Sequence, residues 1–280
     1  MNSLTSSSGE AGSTGSYALG HSDWELKRLS IQARLTDPIT RRFFLDAGLA
    51  PGMRVLDVGS GAGDVAFLVA EIVGAEGTVI GTDRSATALA SARERAAALS
   101  LHNVSFREGD PAEMTFEQPF DAMVGRYVLM FQPDPTTMLR KLTAHVRQGG
   151  VVVFHEPDRD GVRSFPTIAN YQRGTQMIDE TFRASKGNPR MGIHLYQTFI
   201  AAGLPAPTLR LEAIIGSSED HVHYEMDLVR TLKGEIERFG IRKAGDPDPE
   251  TLAEEVLAEV IANNGIVTGR SEIGAWSRVK

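Results

Sequence analysis

Five residues, Gly59-Ser60-Gly61-Ala62-Gly63, lie between the apolar run Val55-Leu56-Asp57-Val58 and a helical stretch that opens at Asp64. A glycine-rich turn in that place lets a ligand come close to the backbone and presents it with the first amides of a helix. Glycine also serves ordinary tight turns, so the weight of the signal comes from its placement between an apolar strand and a helix. Two cofactor classes compete for such a turn. A dinucleotide brings an anionic pyrophosphate to the helix N-terminus, and its fingerprint sets the third glycine three residues after the second. Here the third glycine follows two residues after the second, and Asp64 holds the later place. Carboxylates at Asp57 and Asp64 oppose a pyrophosphate and tolerate a ligand that carries a sulfonium and an ammonium. The charge pattern favours S-adenosylmethionine.

Further acids follow along the chain. Asp83 ends the second apolar strand, where a carboxylate accepts hydrogen bonds from the ribose hydroxyls of either cofactor. Its rival reading is a cap on the helix from Ser85. Asp110, in Glu108-Gly109-Asp110-Pro111, can accept from an adenine amine, with a plain Asp-Pro turn as the alternative. Glu156 stands just past the fifth strand. His194 lies in a later helical stretch and carries an imidazole, the side-chain type suited to proton transfer at physiological pH. These two are the candidates to orient an acceptor and take its proton. The plainer readings are a turn cap before Pro157 for Glu156 and a packing residue for His194.

Positioning these groups needs a frame, and the periodicity supplies one. Two helices are expected before the first strand, parted at Asp37-Pro38, the second closing at Gly48 with a left-handed cap. The pattern then alternates: strand 53–58, helix 64–73, strand 77–82, helix 86–99, strand 103–108, strand 120–125, helix 135–147 and strand 151–155. Val151-Val152-Val153-Phe154 is apolar on both faces, as in a parallel sheet covered by helices on both sides. A doubly wound α/β fold follows. Ligands of such folds sit beyond the carboxyl ends of the strands, which puts a donor over the first two strands and an acceptor near the fourth and fifth. After Pro157 the pattern turns mostly helical, with a strand at 209–215, helices near 220–239 and 250–263, and a last strand-like piece at 275–279. The expected organisation is a Ser/Gly/Thr-rich disordered tail over 1–16, covering helices over 17–50, and a main domain over 51–280 with helical lid insertions at about 157–203 and 218–265.

Composition narrows the chemistry. The 280 residues hold 36 acidic and 29 basic side chains, a net charge of −7, so the overall field repels a polyanion and disfavours a nucleic-acid partner. No apolar run approaches the roughly 20 residues of a membrane helix, and the tail lacks a secretion signal; the expectation is a cytoplasmic protein with no membrane contact. Cysteine is absent, which removes disulfides, thiolate metal sites, cysteine nucleophiles and radical iron–sulfur ligation. His221 and His223, two apart on a helix, do not share a face, so no metal is expected. Ser60 lacks the nucleophile-elbow context of a hydrolase.

The chain resembles the class I small-molecule methyltransferases, in particular those similar to the ubiquinone and menaquinone biosynthetic enzymes. The likeness spans about Tyr17 to Lys280. It is carried by the stretch from Val55 to Asp64, by Asp83, by Gly109-Asp110 and by Gly149-Gly150. The resemblance implies a mostly parallel, Rossmann-like sheet of seven strands with the last antiparallel, and S-adenosylmethionine as methyl donor. By the same likeness Asp57, Gly59, Gly61 and Gly63 hold the methionine portion, Asp83 the ribose, Gly109 and Asp110 the adenine edge, and Arg84 lies against the adenine. A narrower, bacterial specialised-metabolism subgroup shares Tyr17-Ala18-Leu19-Gly20, Gln32 and Gly125-Arg126-Tyr127-Val128-Leu129. That likeness implies that Tyr17 and Gln32 fold over the methionine end and that Arg126 faces its carboxylate; Tyr17 joins Glu156 and His194 as the catalytic candidates. The implied acceptor is a small aromatic metabolite, methylated at an indole carbon, a nitrogen or a phenol oxygen, by a protein that could form a homodimer. Two other readings stay open: an NAD-type dinucleotide oxidoreductase and a non-catalytic adenosylmethionine binder.

Overall fold

The computed structural model describes residues 23–280; the expected tail and Tyr17 lie outside the described residues. One helix, α1 (Asp23–Ala47), stands where two were predicted, and it carries Pro38 within it. An internal proline costs roughly 3 kcal/mol through a lost hydrogen bond and a clash. Against that, Ile31, Ile39, Phe43 and Phe44 are buried along the same helix, each worth about 1.5–3 kcal/mol. Packing on both sides of Pro38 outweighs the break. The helix ends as expected at Gly48, whose φ of 95° is left-handed.

The alternation then runs β1 (Arg54–Val58), α2 (Asp64–Val73), β2 (Thr78–Asp83), α3 (Ala86–Ala98), β3 (Val104–Glu108), β4 (Phe120–Arg126), a single 3-10 turn at Leu129–Phe131, α4 (Pro135–Thr143) and β5 (Val146–Asp158). Next come β6 (Arg163–Phe165), α5 (Ala169–Ala184), α6 (Met191–Ala202), β7 (Thr208–Gly216), α7 (Glu219–Thr231), α8 (Lys233–Arg238), α9 (Leu252–Ala262) and β8 (Ile266–Arg278). Strands β3-β2-β1-β4-β5 are parallel neighbours, and β8 lies antiparallel beside β5 with β7 antiparallel on its other side. The doubly wound α/β sheet is therefore present, with eight strands among the described residues instead of the implied seven. The addition is β6, three residues that continue the line of β5 and pair with the start of β8. The last strand is also far longer than expected, because its polar first half is held by pairing and not by an apolar pattern.

Helices cover both faces of the sheet. Residues of α1, α2 and α3 pack with Val151 and Val153 on one face, and those of α4 and α6 pack with Val152 and Phe154 on the other. A separate apolar cluster joins α5, α7, α8 and α9 with Val267 beside β6. The expected lid over 157–203 is thus divided: α5 belongs to this outer helical layer, whereas α6 covers the sheet. No helix among the described residues is long and apolar enough to cross a membrane.

Close packing between α1 and the sheet is tight at Gly274, where an added Cβ would stand 2.6 Å from the Phe43 ring. Overpacking of this kind costs about 1–3 kcal/mol. Gly274→Ala is expected to lower the urea unfolding midpoint accordingly, and an unchanged midpoint would show that α1 shifts freely.

Candidate active site

Parallel pairing brings the ends of β1, β2 and β4 together, with Val58 level with Thr82 on one side and Gly125 on the other. The turn after β1 lies in the cleft so formed. Three of its residues have left-handed φ values, 66° at Gly59, 51° at Gly61 and 95° at Gly63, a region that costs side-chain-bearing residues energy. A Cβ at Gly59 would be 2.7 Å from a Val128 methyl and one at Gly63 would be 2.5 Å from Phe67, whereas one at Gly61 would meet nothing within 4 Å. Gly59 and Gly63 are glycines for packing, and Gly61 is the one that opens to a ligand.

Asp57 lies fully buried beneath this turn, and among the described residues neither carboxylate oxygen has a partner at hydrogen-bond distance, the Ala66 amide acting on it only weakly. Burial raises its pKa well above the ordinary range, with Arg126 pulling the other way and Asp83 and Asp64 adding to the rise. The nearby Ser60 hydroxyl is likewise buried without a partner. An unpartnered buried carboxylate costs free energy and calls for a cation or donor, and this donor set fits an ammonium-bearing ligand better than a phosphate.

Asp83 serves the backbone on two sides. Its Oδ2 accepts from the Gly61 amide at 2.9 Å and its Oδ1 from the Ser85 amide at 2.8 Å. Ser85 itself caps α3, accepting from the Ala88 amide. Asp83 therefore fixes the open glycine to the end of β2, half-exposed, with lone pairs remaining for a ligand's hydroxyls. Arg84 and Asp110 are joined by an ion pair across the ends of β2 and β3, and Asp110 also accepts from the Ala112 amide at 2.9 Å. The Asp-Pro turn reading of Asp110 is realised. Arg84 is engaged by that acid, with its side chain 65% exposed. Gly109, with φ 130°, donates its amide to the Asp83 carbonyl at 2.8 Å, closing the same edge.

Arg126 ends β4 with its side chain only 5% exposed, and α1 surrounds it: Nη1 donates to Asp37 at 2.7 Å, Thr40 at 3.0 Å and Thr36 at 3.4 Å. Gln32 is one turn earlier on that helix, its carbonyl accepting from Thr36 Oγ1 and its side chain from Arg28. Thr36 thus links Gln32 on α1 to Arg126 at the end of β4. Sequence reasoning missed Thr36, Asp37 and Thr40. Their signal was polar residues spaced three and four apart on one helix face, obscured by reading Asp37-Pro38 as a break.

The catalytic candidates fare differently. Glu156 is fully buried, and its carboxylate accepts from the amides of Val128 at 2.9 Å, Leu129 at 2.7 Å and Met130 at 3.3 Å. Burial pushes its pKa up to about 8, while these three amides pull it back. With its lone pairs turned to the backbone, Glu156 is a cap for the turn after β4 and not a base facing an acceptor. It supports the cleft indirectly, because Val128 is the residue against which Gly59 packs. His194 stands exposed on α6, with Nδ1 2.9 Å from Asn188 Nδ2. His194 meets Asn188 while the Glu156 carboxylate is taken up by backbone amides, so the pairing of the two as base and partner is corrected.

A polar network that the sequence reading did not assemble lies beside the cleft. Glu272 on β8 is buried and accepts from His155 Nε2 at 2.6 Å, from the Tyr127 hydroxyl at 2.8 Å and from the Tyr224 hydroxyl, with Arg270 Nε at 3.2 Å. His155 Nδ1 lies 3.0 Å from Thr40 Oγ1. Tyr127 adopts φ 57°, a strained value for an aromatic residue. Charged residues within apolar strands, His155 after Val153-Phe154 and Glu272 before Ile273, were the available signal.

A parallel sheet with an antiparallel closing strand, and a glycine turn set between two acids at its carboxyl edge, define the class I methyltransferase fold. The chain belongs to the methyltransferase domain family, whose sequence pattern matches residues 49–224. It is 38% identical over 123 residues to the 2-phytyl-1,4-naphtoquinone methyltransferase of Synechococcus elongatus, covering 42% of this chain and 53% of that one. It is 35% identical over 116 residues to the arsenite methyltransferase of Aquipseudomonas alcaligenes, covering 39% and 34% respectively. The matches thus span about half or less of these relatives' own length. Among solved structures, the YcgJ protein of Bacillus subtilis superposes with a TM-score of 0.55 at 15% identity, covering 88% of this chain and 98% of that one, a likeness of fold.

Glu156→Gln would turn an amide donor toward backbone donors, and leaving such buried groups unmatched costs about 1–3 kcal/mol. Thermal denaturation should show that loss, while His194→Ala, made at an exposed position, should leave both stability and turnover unchanged. A His194→Ala variant with wild-type stability and turnover reduced by about 100-fold or more would restore the histidine to the reaction.

Proposed function

We propose that this protein is an S-adenosylmethionine-dependent methyltransferase acting on a small aromatic acceptor. One observation carries the donor assignment: a buried carboxylate, Asp57, has two unpartnered oxygens beneath a glycine turn whose middle glycine faces open space. The bound donor supplies an electrophilic methyl on a sulfonium. The chain's own residues do the rest. Asp57 and the turn hold the cationic amino-acid end, Asp83 the ribose hydroxyls, and the Asp110 edge the base. Arg126, shared with Asp37, neutralises the carboxylate end. The reaction itself gains most from alignment, since holding two reactants in line can supply roughly 7–11 kcal/mol.

The aromatic acceptor is supported by the surface beside the ends of β4 and β5. Phe131 there is 46% exposed, with its ring 6.2 Å from that of Phe182, a platform suited to stacking a planar molecule. A relative that acts on a naphthoquinone fits the same chemistry. The net charge of −7 speaks for a neutral or cationic metabolite over a nucleic acid. An indole carbon, a ring nitrogen or a phenol oxygen is the methyl-accepting atom, in a role within bacterial specialised metabolism.

Calorimetry with S-adenosylmethionine, S-adenosylhomocysteine and a nicotinamide dinucleotide tests the donor assignment, with binding expected only for the first two. Asp57→Asn should weaken donor binding by about 1.5–3 kcal/mol, the scale of a hydrogen bond to a charged group. The same change should stabilise the free protein. Because burial raises the Asp57 pKa, the native state keeps a proton that the unfolded chain releases near pH 4, and stability is lost as pH rises above that value. The advantage of Asn should therefore grow as pH is raised. A variant with unaltered affinity and an unaltered pH–stability curve would overturn the assignment.

For the acceptor, a panel of phenols, indoles and hydroquinones is expected to yield methylated products by mass spectrometry. Phe131→Ala should raise KM with little change in donor affinity. Methylation confined to aliphatic amines or acids would exclude an aromatic acceptor.

A further inference from the structure

Among the described residues β7 pairs with β8 alone, so its outer edge presents backbone donors and acceptors that a further strand could take up. Its side chains alternate. Arg210 and Glu212 turn toward α1, where they form ion pairs with Asp46 and Arg42. Leu209 and Leu211 turn to the opposite face, in register with Ala275 and Ile273, the residues that α6 covers. Beyond that cover, Leu209, Leu211 and Ile215 are 44%, 56% and 54% exposed, and α6 adds an exposed stripe of Ile193, Tyr196 and Ile200. An exposed edge strand flanked by contiguous apolar side chains marks an interaction surface.

We propose that this edge pairs with the same edge of a second copy of the chain, antiparallel, with Leu211 opposite its own copy on the two-fold axis. Symmetry restricts the choices. Opposed residues in an antiparallel pair share a face of the sheet, and a two-fold axis normal to the sheet keeps each residue on its face, so the axis must pass between a residue and its copy. Centring on Arg210 sets two guanidinium groups opposite each other, and centring on Glu212 sets two carboxylates opposite, both unfavourable. Centring on Leu211 sets Arg210 opposite Glu212 of the partner subunit, twice, with Leu209 opposite Ala213 of the partner subunit. The sequence Arg210-Leu211-Glu212 is self-complementary in charge only in that register. The result is one continuous sheet through both subunits, with both leucine strips on the same side and the α6 stripes flanking them.

The chain contains no cysteine, which makes the register directly testable. Opposed Cα atoms lie about 4.5–5.5 Å apart, within disulfide range, so Leu211→Cys should form a covalent dimer on mild oxidation. Leu209→Cys is the control: its two copies would be four residues out of register, roughly 14 Å apart at 3.4 Å per residue, and should cross-link about tenfold less or not at all. Sedimentation of the full wild-type chain should give about twice 30.3 kDa at micromolar concentration. Leu211→Lys, a change at an exposed position, should give a monomer with unchanged circular dichroism. A wild-type chain that stays monomeric, or equal cross-linking of the two cysteine variants, would overturn the proposal.

Discussion

Glu272 is the constraint on which the arrangement of this molecule turns. A carboxylate with no solvent exposure carries a desolvation penalty of several kcal/mol unless donors surround it, and the donors here come from different elements: His155 from β5, Tyr127 from the turn after β4, Tyr224 from α7 and Arg270 from β8 itself. Despite burial, these partners hold its pKa down to about 2, Arg270 and His155 contributing most. Burial lowers the pKa of His155 while Glu272 raises it, and the ring links Glu272 at Nε2 to Thr40 at Nδ1. Removing any one donor would strand charge in the interior. The outer helical layer, the closing strand and α1 are accordingly fixed to one another through one side chain.

The same chain of contacts reaches the cleft. Thr40 is shared between His155 and Arg126, and Arg126 in turn holds Asp37. The Arg126 side of the cleft is thereby tied to the Glu272 network by buried hydrogen bonds, which are stronger in a low-dielectric interior than at a surface. On the opposite side of the turn the work is done by backbone geometry: Asp83 grips the Gly61 amide, and Glu156 caps the residues on which Gly59 rests. Glu156 and Asp83 both shape the peptide that lines the cleft.

Family likeness and the individual network occupy different parts of the chain. The matched pattern ends at residue 224, before α8, α9 and β8, so Arg270 and Glu272 lie beyond it, and Tyr224 and Glu225 stand at its margin. Arg159 bridges Asp179 and Glu225, and Arg270 also meets Glu225, extending the buried network into α5 and α7. A fold shared by many chemistries leaves function to the site built on it. In this protein the buried network runs through the helical layer and the strand that lies outside the matched pattern.

Local sequence determined the parallel half of the sheet and the donor turn. Apolar runs on both faces, glycine spacing and strand-end acids are short-range signals, and β1 to β5 with α2 and α3 fall within a few residues of where they were expected. The sequence by itself also set Gly61 and Asp83 at the carboxyl edge, because the turn after β1 and the end of β2 meet there in a parallel sheet. Tertiary structure alone decided the rest. Pro38 could remain inside α1 only because four apolar side chains found a surface to pack on, and β6 and the polar half of β8 are strands only because other strands hydrogen-bond to them. Glu156 became a cap when the turn after β4 brought three amides to it, and His194 was turned outward by the need of α6 to bury Leu195 and Phe199. A carboxylate or an imidazole has the same chemistry in every sequence; its role follows from which donors and acceptors distant parts of the chain bring within 3 Å, roughly the reach of a hydrogen bond.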